Sequence, residues 1–230
     1  MLCAASAEVH VVELDEAVLD AATRGHHVSI RRVSLPCLAQ YDAAAQLPAQ
    51  LPTELPTTVS ACDAPGGLTI SVTVADAAAC IGALPVASLS CVLLDAYDAK
   101  GHVPAHLQAA EFVRSLGAVV ALGGSVVANL WNGTPAARAS ADAFVGLLEL
   151  AGFCAFGLRV LGHEKNRILV AIKLGGPDER ADRAETRHAA LTALRARIGD
   201  MAEGFEKAWS EPNLLATMRD NARTLAAWQG

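Results

Sequence analysis

Three short apolar runs in the first half of the chain each end at, or within two residues of, a carboxylate. They are Val9-His10-Val11-Val12-Glu13, Leu68-Thr69-Ile70-Ser71-Val72-Thr73-Val74 before Ala75-Asp76, and Leu89-Ser90-Cys91-Val92-Leu93-Leu94-Asp95. Their β-branched residues and, in the second, strict alternation predict strands. The third is apolar almost throughout, which predicts a central parallel strand covered on both faces. Each strand leads toward helical spacing. After Glu13, Asp15 is placed to cap a helix in which Val18, Leu19 and Ala22 share a face; after Asp76, an apolar stretch runs to Leu84.

The second half continues the alternation. Pro104 to Leu122 predicts a helix, with Leu107, Ala110, Glu111, Val113, Leu116 and Val120 near the 3.6 period and Gly123-Gly124 as its stop. Ser125 to Leu130 is a further strand. Thr134-Pro135 supplies a cap and a first-turn proline for a helix to about Leu150, stopped by Gly152. Phe153–Val160 and Arg167–Lys173 predict two strands joined by a polar turn at His163-Glu164-Lys165-Asn166. Strand and helix in this order predict an α/β fold, a doubly wound, mostly parallel sheet with a terminal antiparallel hairpin. Two segments stand apart. Residues 26–67 hold Pro48, Pro52, Pro56 and Pro65 and predict an insert; beyond Gly175-Gly176-Pro177 the chain is helical and charged, with Trp209 and Trp228 as docking points. The expected organisation is one sheet domain over 1–177 and a helical extension over 178–230.

Composition narrows the function classes. With 53% hydrophobic but only 4% aromatic residues among 230, the core is built from Ala, Val and Leu. A net charge of −6, with basic residues scattered among acids, gives no footprint for a phosphate backbone, so no nucleic-acid partner is expected. Six cysteines lie far apart without a C-x-x-C pair and read as buried thiols of a reducing compartment. No apolar run reaches the roughly 18 residues of a membrane span, so a soluble, cytoplasmic protein is expected. Asn132-Gly133-Thr134 has the form of a glycosylation sequon but reads as a loop that starts a helix.

A carboxylate just past a strand can accept both hydroxyls of a ribose, and equivalent strand ends meet at one rim in such sheets. Glu13, Asp76 and Asp95, with Asp98 shortly beyond, therefore predict a shared pocket. Asp76 reads equally as a helix cap. His102 and His106 are four apart, but Pro104 between them predicts a helix start rather than a metal site. Tyr97 lines a pocket or packs beside the strand end. Asn129, at a strand end, reads as structural with a pocket role as the alternative, Trp131 as packing rather than ligand stacking, and Cys80 and Cys91 as buried residues without a partnered base.

Taken together, Val11-Val12-Glu13-Leu14-Asp15, Val74-Ala75-Asp76-Ala77, Leu93-Leu94-Asp95-Ala96-Tyr97-Asp98, Gly101-His102-Val103-Pro104-Ala105-His106-Leu107 with Glu111-Phe112, and Leu122-Gly123-Gly124-Ser125-Val126-Val127-Ala128-Asn129-Leu130 resemble, in order and spacing, the successive blocks of spermidine synthase-like proteins. That group lies within the class I S-adenosylmethionine-dependent methyltransferase superfamily. The resemblance covers roughly Val9 to Lys173; the tail from Asn166 through Trp209 to Trp228 is similar in layout to the spermidine synthase-like half of elongation-factor methyltransferases. It implies a Rossmann-like fold, here beginning at the second strand and lacking the first strand and its glycine-rich turn.

For matched positions the resemblance implies roles. Glu13 would hold the ribose of S-adenosylmethionine or decarboxylated S-adenosylmethionine, Asp76 and Ala77 would meet the adenine, and Asp95 would be the catalytic carboxylate facing the reacting centre, where it helps deprotonate the attacking amine. Tyr97 and Asp98 would bind an amine acceptor, either a small molecule or a protein amine. No metal is implied, and a homodimer is allowed. Methyl and aminopropyl transfer both stay open. So does a second class: a non-catalytic interaction protein, or an incomplete fragment, that retains the fold.

Overall fold

The structure, a computed structural model, describes residues 8–15, 17–18, 59–60, 69–98, 102–163, 165–175, 185–196, 216, 220–221 and 223–228. They fall in two compact units, residues 1–83 and 84–230. The 26–67 insert, apart from Val59–Ser60, lies outside the described residues, as do Trp209 and the helix expected beyond Val18.

In the first unit β1 (Glu8–Glu13) runs parallel to β3 (Thr69–Val74), in register from Glu8 opposite Thr69 to Glu13 opposite Val74. The short β2 (Val59–Ser60) pairs antiparallel on the other side of β3. Past β1, Asp15 accepts the Ala17 N–H at 2.8 Å through Oδ1 and the Val18 N–H at 3.1 Å through its carbonyl, which is the expected capped turn. Past β3, α1 (Ala77–Ala83) buries Cys80 and Ile81. Burial, then the nearby Asp76 charge, pushes the Cys80 thiol above its ordinary pKa.

The second unit is built on a five-stranded sheet in the order β4-β5-β7-β6-β8. β4 (Leu89–Leu94) is parallel to β5 (Val120–Trp131), and the remaining pairs are antiparallel. A parallel β4–β5 pair joined through a helix, followed by a closing hairpin, agrees with the α/β expectation. The hairpin is β6 (Phe153–Arg159) against β7 (Asn166–Lys173), in register from Phe153 opposite Lys173 to Arg159 opposite Arg167. Before it, α3 (Pro135–Leu150) begins as its residues demand: Thr134 Oγ1 accepts the Ala137 N–H at 3.1 Å and proline occupies the first turn. Ala141, Phe144, Val145 and Leu148 form its buried face, and Gly152 turns the chain at φ 91°.

Three local expectations are corrected. The first concerns the helix expected over Pro104 to Leu122, which is divided into a 3-10 turn (Ala105–Gln108), an extended Ala109, and α2 (Ala110–Val119). Val120 is already in strand conformation and pairs with Leu89. Lys173 Nζ donates to the Gly117 and Val120 carbonyls, the latter at 2.8 Å, and so satisfies backbone acceptors where the helix gives way to strand. The second concerns Gly123-Gly124, which lie inside β5 rather than ending a helix. Between Leu89 and Cys91 the β5 partner advances from Val120 to Ser125, an irregularity absorbed by Gly123 at φ 75° and by Gly124, where a Cβ would fall 2.9 Å from the Ala121 and Ser90 carbonyl oxygens. The third concerns β4, which, among the described residues, is the terminal strand of its sheet rather than a central one. Leu93 is 75% exposed and Cys91 is exposed, while Leu94 is buried.

The far edge of the sheet is closed by the chain's last residues. β8 (Ala226–Ala227) pairs with Phe156 and Gly157 of β6. Leu225 is buried with Cys154 and Phe156, and Ala190, Leu191 and Leu194, from the helical residues 185–196, pack on the same cluster. Burying a Phe or Leu side chain in this way contributes about 2 to 3 kcal/mol each.

Candidate active site

The parallel register that places Leu94 opposite Ala128 brings the next pair, Asp95 and Asn129, together at the carboxyl ends of β4 and β5. Asn129 Nδ2 donates to Asp95 Oδ1 at 3.2 Å. The Tyr97 hydroxyl donates to the main-chain carbonyl of the same Asn129 at 2.7 Å, so the segment after β4 is tied to β5 at both ends. Burial, and secondarily the Asp95 charge, pushes the Tyr97 pKa up to about 12. At neutral pH Tyr97 is therefore a proton-retaining donor. Asp95 is exposed, and an ionised carboxylate has lone pairs for two or three donors beyond Asn129.

Asp98 has a local task. Its N–H donates to the His102 carbonyl at 2.7 Å, and its Oδ1 accepts the His102 N–H at 2.9 Å, closing the turn that follows Tyr97. The His102 ring packs on Trp131, with centroids 5.2 Å apart and planes at 43°. The expected packing role of Trp131 is thus what the structure has. His106 sits in the 3-10 turn. Among the described residues, no group of three or more His, Cys, Asp or Glu side chains is gathered for a metal ion.

The remaining sequence candidates belong to the first unit and meet one another there. Because β1 and β3 are parallel and in register, Glu13 at the end of one and Asp76 just past the end of the other share the carboxyl-end rim. The Ala75 N–H donates to the Glu13 carbonyl at 3.0 Å, which joins the two strand ends. Glu13 is half-buried, and its Oε1 accepts the Asp15 N–H at 2.9 Å. Asp76 realises the capping alternative, its Oδ1 accepting the Ala78 and Ala79 N–H groups at 2.9 and 3.2 Å, and Ala77 is the first residue of α1. Glu13, Asp76 and Ala77 are thus gathered on one strand rim of residues 1–83. Asp95, Tyr97 and Asp98 are gathered on one strand rim of residues 84–230. Asn129 reads from the sequence as structural first and as a pocket residue second, and its hydrogen bond to Asp95 realises the second reading. Its only signal was its place at the end of a strand.

No protein-family model matches the chain, and no curated protein matches it. Among solved structures it is similar to a probable spermidine synthase from Corynebacterium glutamicum, at 17% identity and a TM-score of 0.44 over 79% of this chain and 53% of that one. It is also similar to a possible exported protein from Bordetella parapertussis, at 14% identity and a TM-score of 0.42 over 73% and 54%. A third similar structure is the antibiotic-resistance methyltransferase Kmr, at 24% identity and a TM-score of 0.30 over 46% and 60%. The chain spans about half the length of the first two.

Proposed function

We propose that this chain carries out transfer of a methyl or aminopropyl group from S-adenosylmethionine, or its decarboxylated form, to an amine, with Asp95 receiving the amine. The observation that carries this reading is the exposed Asp95 carboxylate at the end of β4, held by Asn129 and accompanied by a Tyr97 phenol that keeps its proton. The donor supplies an electrophilic carbon bonded to a sulfonium.

The amine arrives as a cation, and Asp95 attracts it and accepts one of its protons, because only the neutral nitrogen has a lone pair for attack. As the carbon–nitrogen bond forms, the carbon–sulfur bond breaks and its electron pair remains on sulfur. Asp98 gives a second carboxylate near the amine, and Tyr97, whose proton goes to the Asn129 carbonyl, offers its oxygen lone pairs as an acceptor for the amine. Glu13 fits a ribose hydroxyl through Oε2, since Oε1 is already engaged by Asp15. Asp76 and Ala77 would meet the adenine from the start of α1, with Asp76 Oδ1 reserved for the cap.

The acceptor is a small-molecule amine or a protein amine, and nucleic acid is not the substrate. A cytoplasmic setting is in keeping with the free thiols Cys80, Cys91 and Cys154. No helix among the described residues is long and apolar enough to cross a membrane.

Calorimetry with S-adenosylmethionine, its decarboxylated analogue and methylthioadenosine tests the reading. Heat is expected with at least one. Silence with all three at millimolar ligand would leave a non-catalytic interaction protein as the better account. Asp95→Asn should abolish turnover with nucleoside binding kept, whereas Glu13→Ala should weaken binding itself; equal loss of binding in both contradicts the division of roles.

A further inference from the structure

We infer that Asn129 is a positioning residue for Asp95, orienting the carboxylate that receives the amine; the inference rests on the reading of Asp95 given above. Its side-chain amide can lie in only one sense. Turned over, Oδ1 would face the Asp95 carboxylate, acceptor against acceptor, so Nδ2 must point there, as it does at 3.2 Å. The consequence falls on the other end of the group. Among the described residues, the enclosed Asn129 Oδ1 has no hydrogen-bond partner.

An enclosed acceptor without a donor destabilises a fold, and an alanine at this position would avoid that cost. On the face of β5 that carries Asn129 its neighbours are Val127 and Trp131, both half-buried and largely apolar, so the strand itself does not require a polar side chain here. What the amide does provide is one donor, aimed at the one carboxylate that the β4–β5 register sets beside it. The main chain of the same residue holds Tyr97, so Asn129 fixes both the acid and the phenol two residues further along. A proton acceptor acts well only within hydrogen-bond reach and in the right orientation, which is what a held carboxylate offers and a rotating one does not.

The test uses the full chain, Asn129→Ala, Asp95→Asn and the double variant, with 1,4-diaminobutane as the probe because Asp95 and Asp98 offer two carboxylates. Its affinity is measured by calorimetry. A hydrogen bond to a charged group being lost, Asn129→Ala should weaken binding about tenfold or more, and Asp95→Asn at least as much. If Asn129 acts through Asp95, the double variant binds no more weakly than Asp95→Asn alone. Two further measurements separate positioning from mere support of the fold. The thermal midpoint of Asn129→Ala should not fall, and Tyr97 should still titrate near 12, because the partial burial and the Asp95 charge that raise its pKa both remain and its main-chain acceptor is kept.

Unchanged affinity in Asn129→Ala, additive losses in the double variant, or a lowered thermal midpoint overturns the positioning role and leaves the Asp95 reading standing. Wild-type affinity in Asp95→Asn, or no binding by the wild type, overturns the Asp95 reading and the positioning role with it.

Discussion

The Trp228 indole donates through Nε1 to Asp142 Oδ1 at 2.8 Å, pinning the end of the chain to α3. The Arg167 guanidinium lies 4.0 Å from the centre of the same ring, on the opposite strand from Gly157, whose missing side chain leaves room for it. Burial, then the facing Arg159, lowers the Arg167 pKa, with Asp142 opposing. The Trp228 N–H donates to the Ala155 carbonyl, so ring and backbone are both held.

Trp228→Phe should therefore cost about 1 kcal/mol, the net worth of a hydrogen bond, and Trp228→Ala about 3 kcal/mol or more, since the ring is lost as well. Urea unfolding followed by far-ultraviolet circular dichroism measures both. A tail that merely rests on the sheet would give equal and negligible changes.

Thr134→Ala removes the acceptor for the Ala137 N–H at the start of α3 and should cost about 1 kcal/mol. Thr134→Ser keeps the hydroxyl and should recover most of it. For a unit of this size the alanine variant should melt about 2 to 4 °C lower, a shift that differential scanning calorimetry resolves.

These two positions also mark what the sequence alone made legible. The α3 start and the hairpin from Phe153 to Lys173 rest on local signals: Thr134, Pro135 and Gly152 act within one turn of themselves. Gly123-Gly124 carried the same local signal as Gly152, yet their role is set by where β4 and β5 come into register, which no window around them contains. Asp15 and Asp76 were readable as caps because their partners lie two and three residues away. Asp95 was legible as a strand-end acid, but its partner Asn129 is 34 residues distant, and only the parallel pairing brings the two together. The exposure of Cys91 and Leu93 escaped the sequence for the same reason. An apolar run states that a strand prefers cover, and strand order decides which sides receive it.

Gly133→Ala should disturb the loop beside Asp98. A Cβ there would fall on the Trp131 indole, which is itself packed against His102. Trp131 must move, at a cost of about 1 to 3 kcal/mol, and the His102 ring loses its neighbour. Nuclear magnetic resonance of the His102 ring protons should show their aromatic shielding relaxing toward free-histidine values. Unchanged shifts would mean that the two rings do not pack in solution.

The last prediction concerns pH and turns on Tyr97. Its pKa in the folded chain is about 12, above the ordinary value of 10.0, with burial the larger cause and Asp95 the smaller. The folded state therefore keeps the phenolic proton at pH values where the unfolded chain has released it, and stability falls as pH rises from about 10 to about 12. This contribution is fully present below pH 10. The chain has two tyrosines, so in a Tyr41→Phe background the phenolate absorbance at 295 nm reports Tyr97 alone. Adding Asp95→Asn removes the smaller cause and should lower the midpoint only part of the way toward 10, because the partial desolvation of the phenol remains. A midpoint that returns fully to the ordinary value would assign the whole effect to Asp95, and one that does not move would show that the Asp95 charge does not reach the phenol.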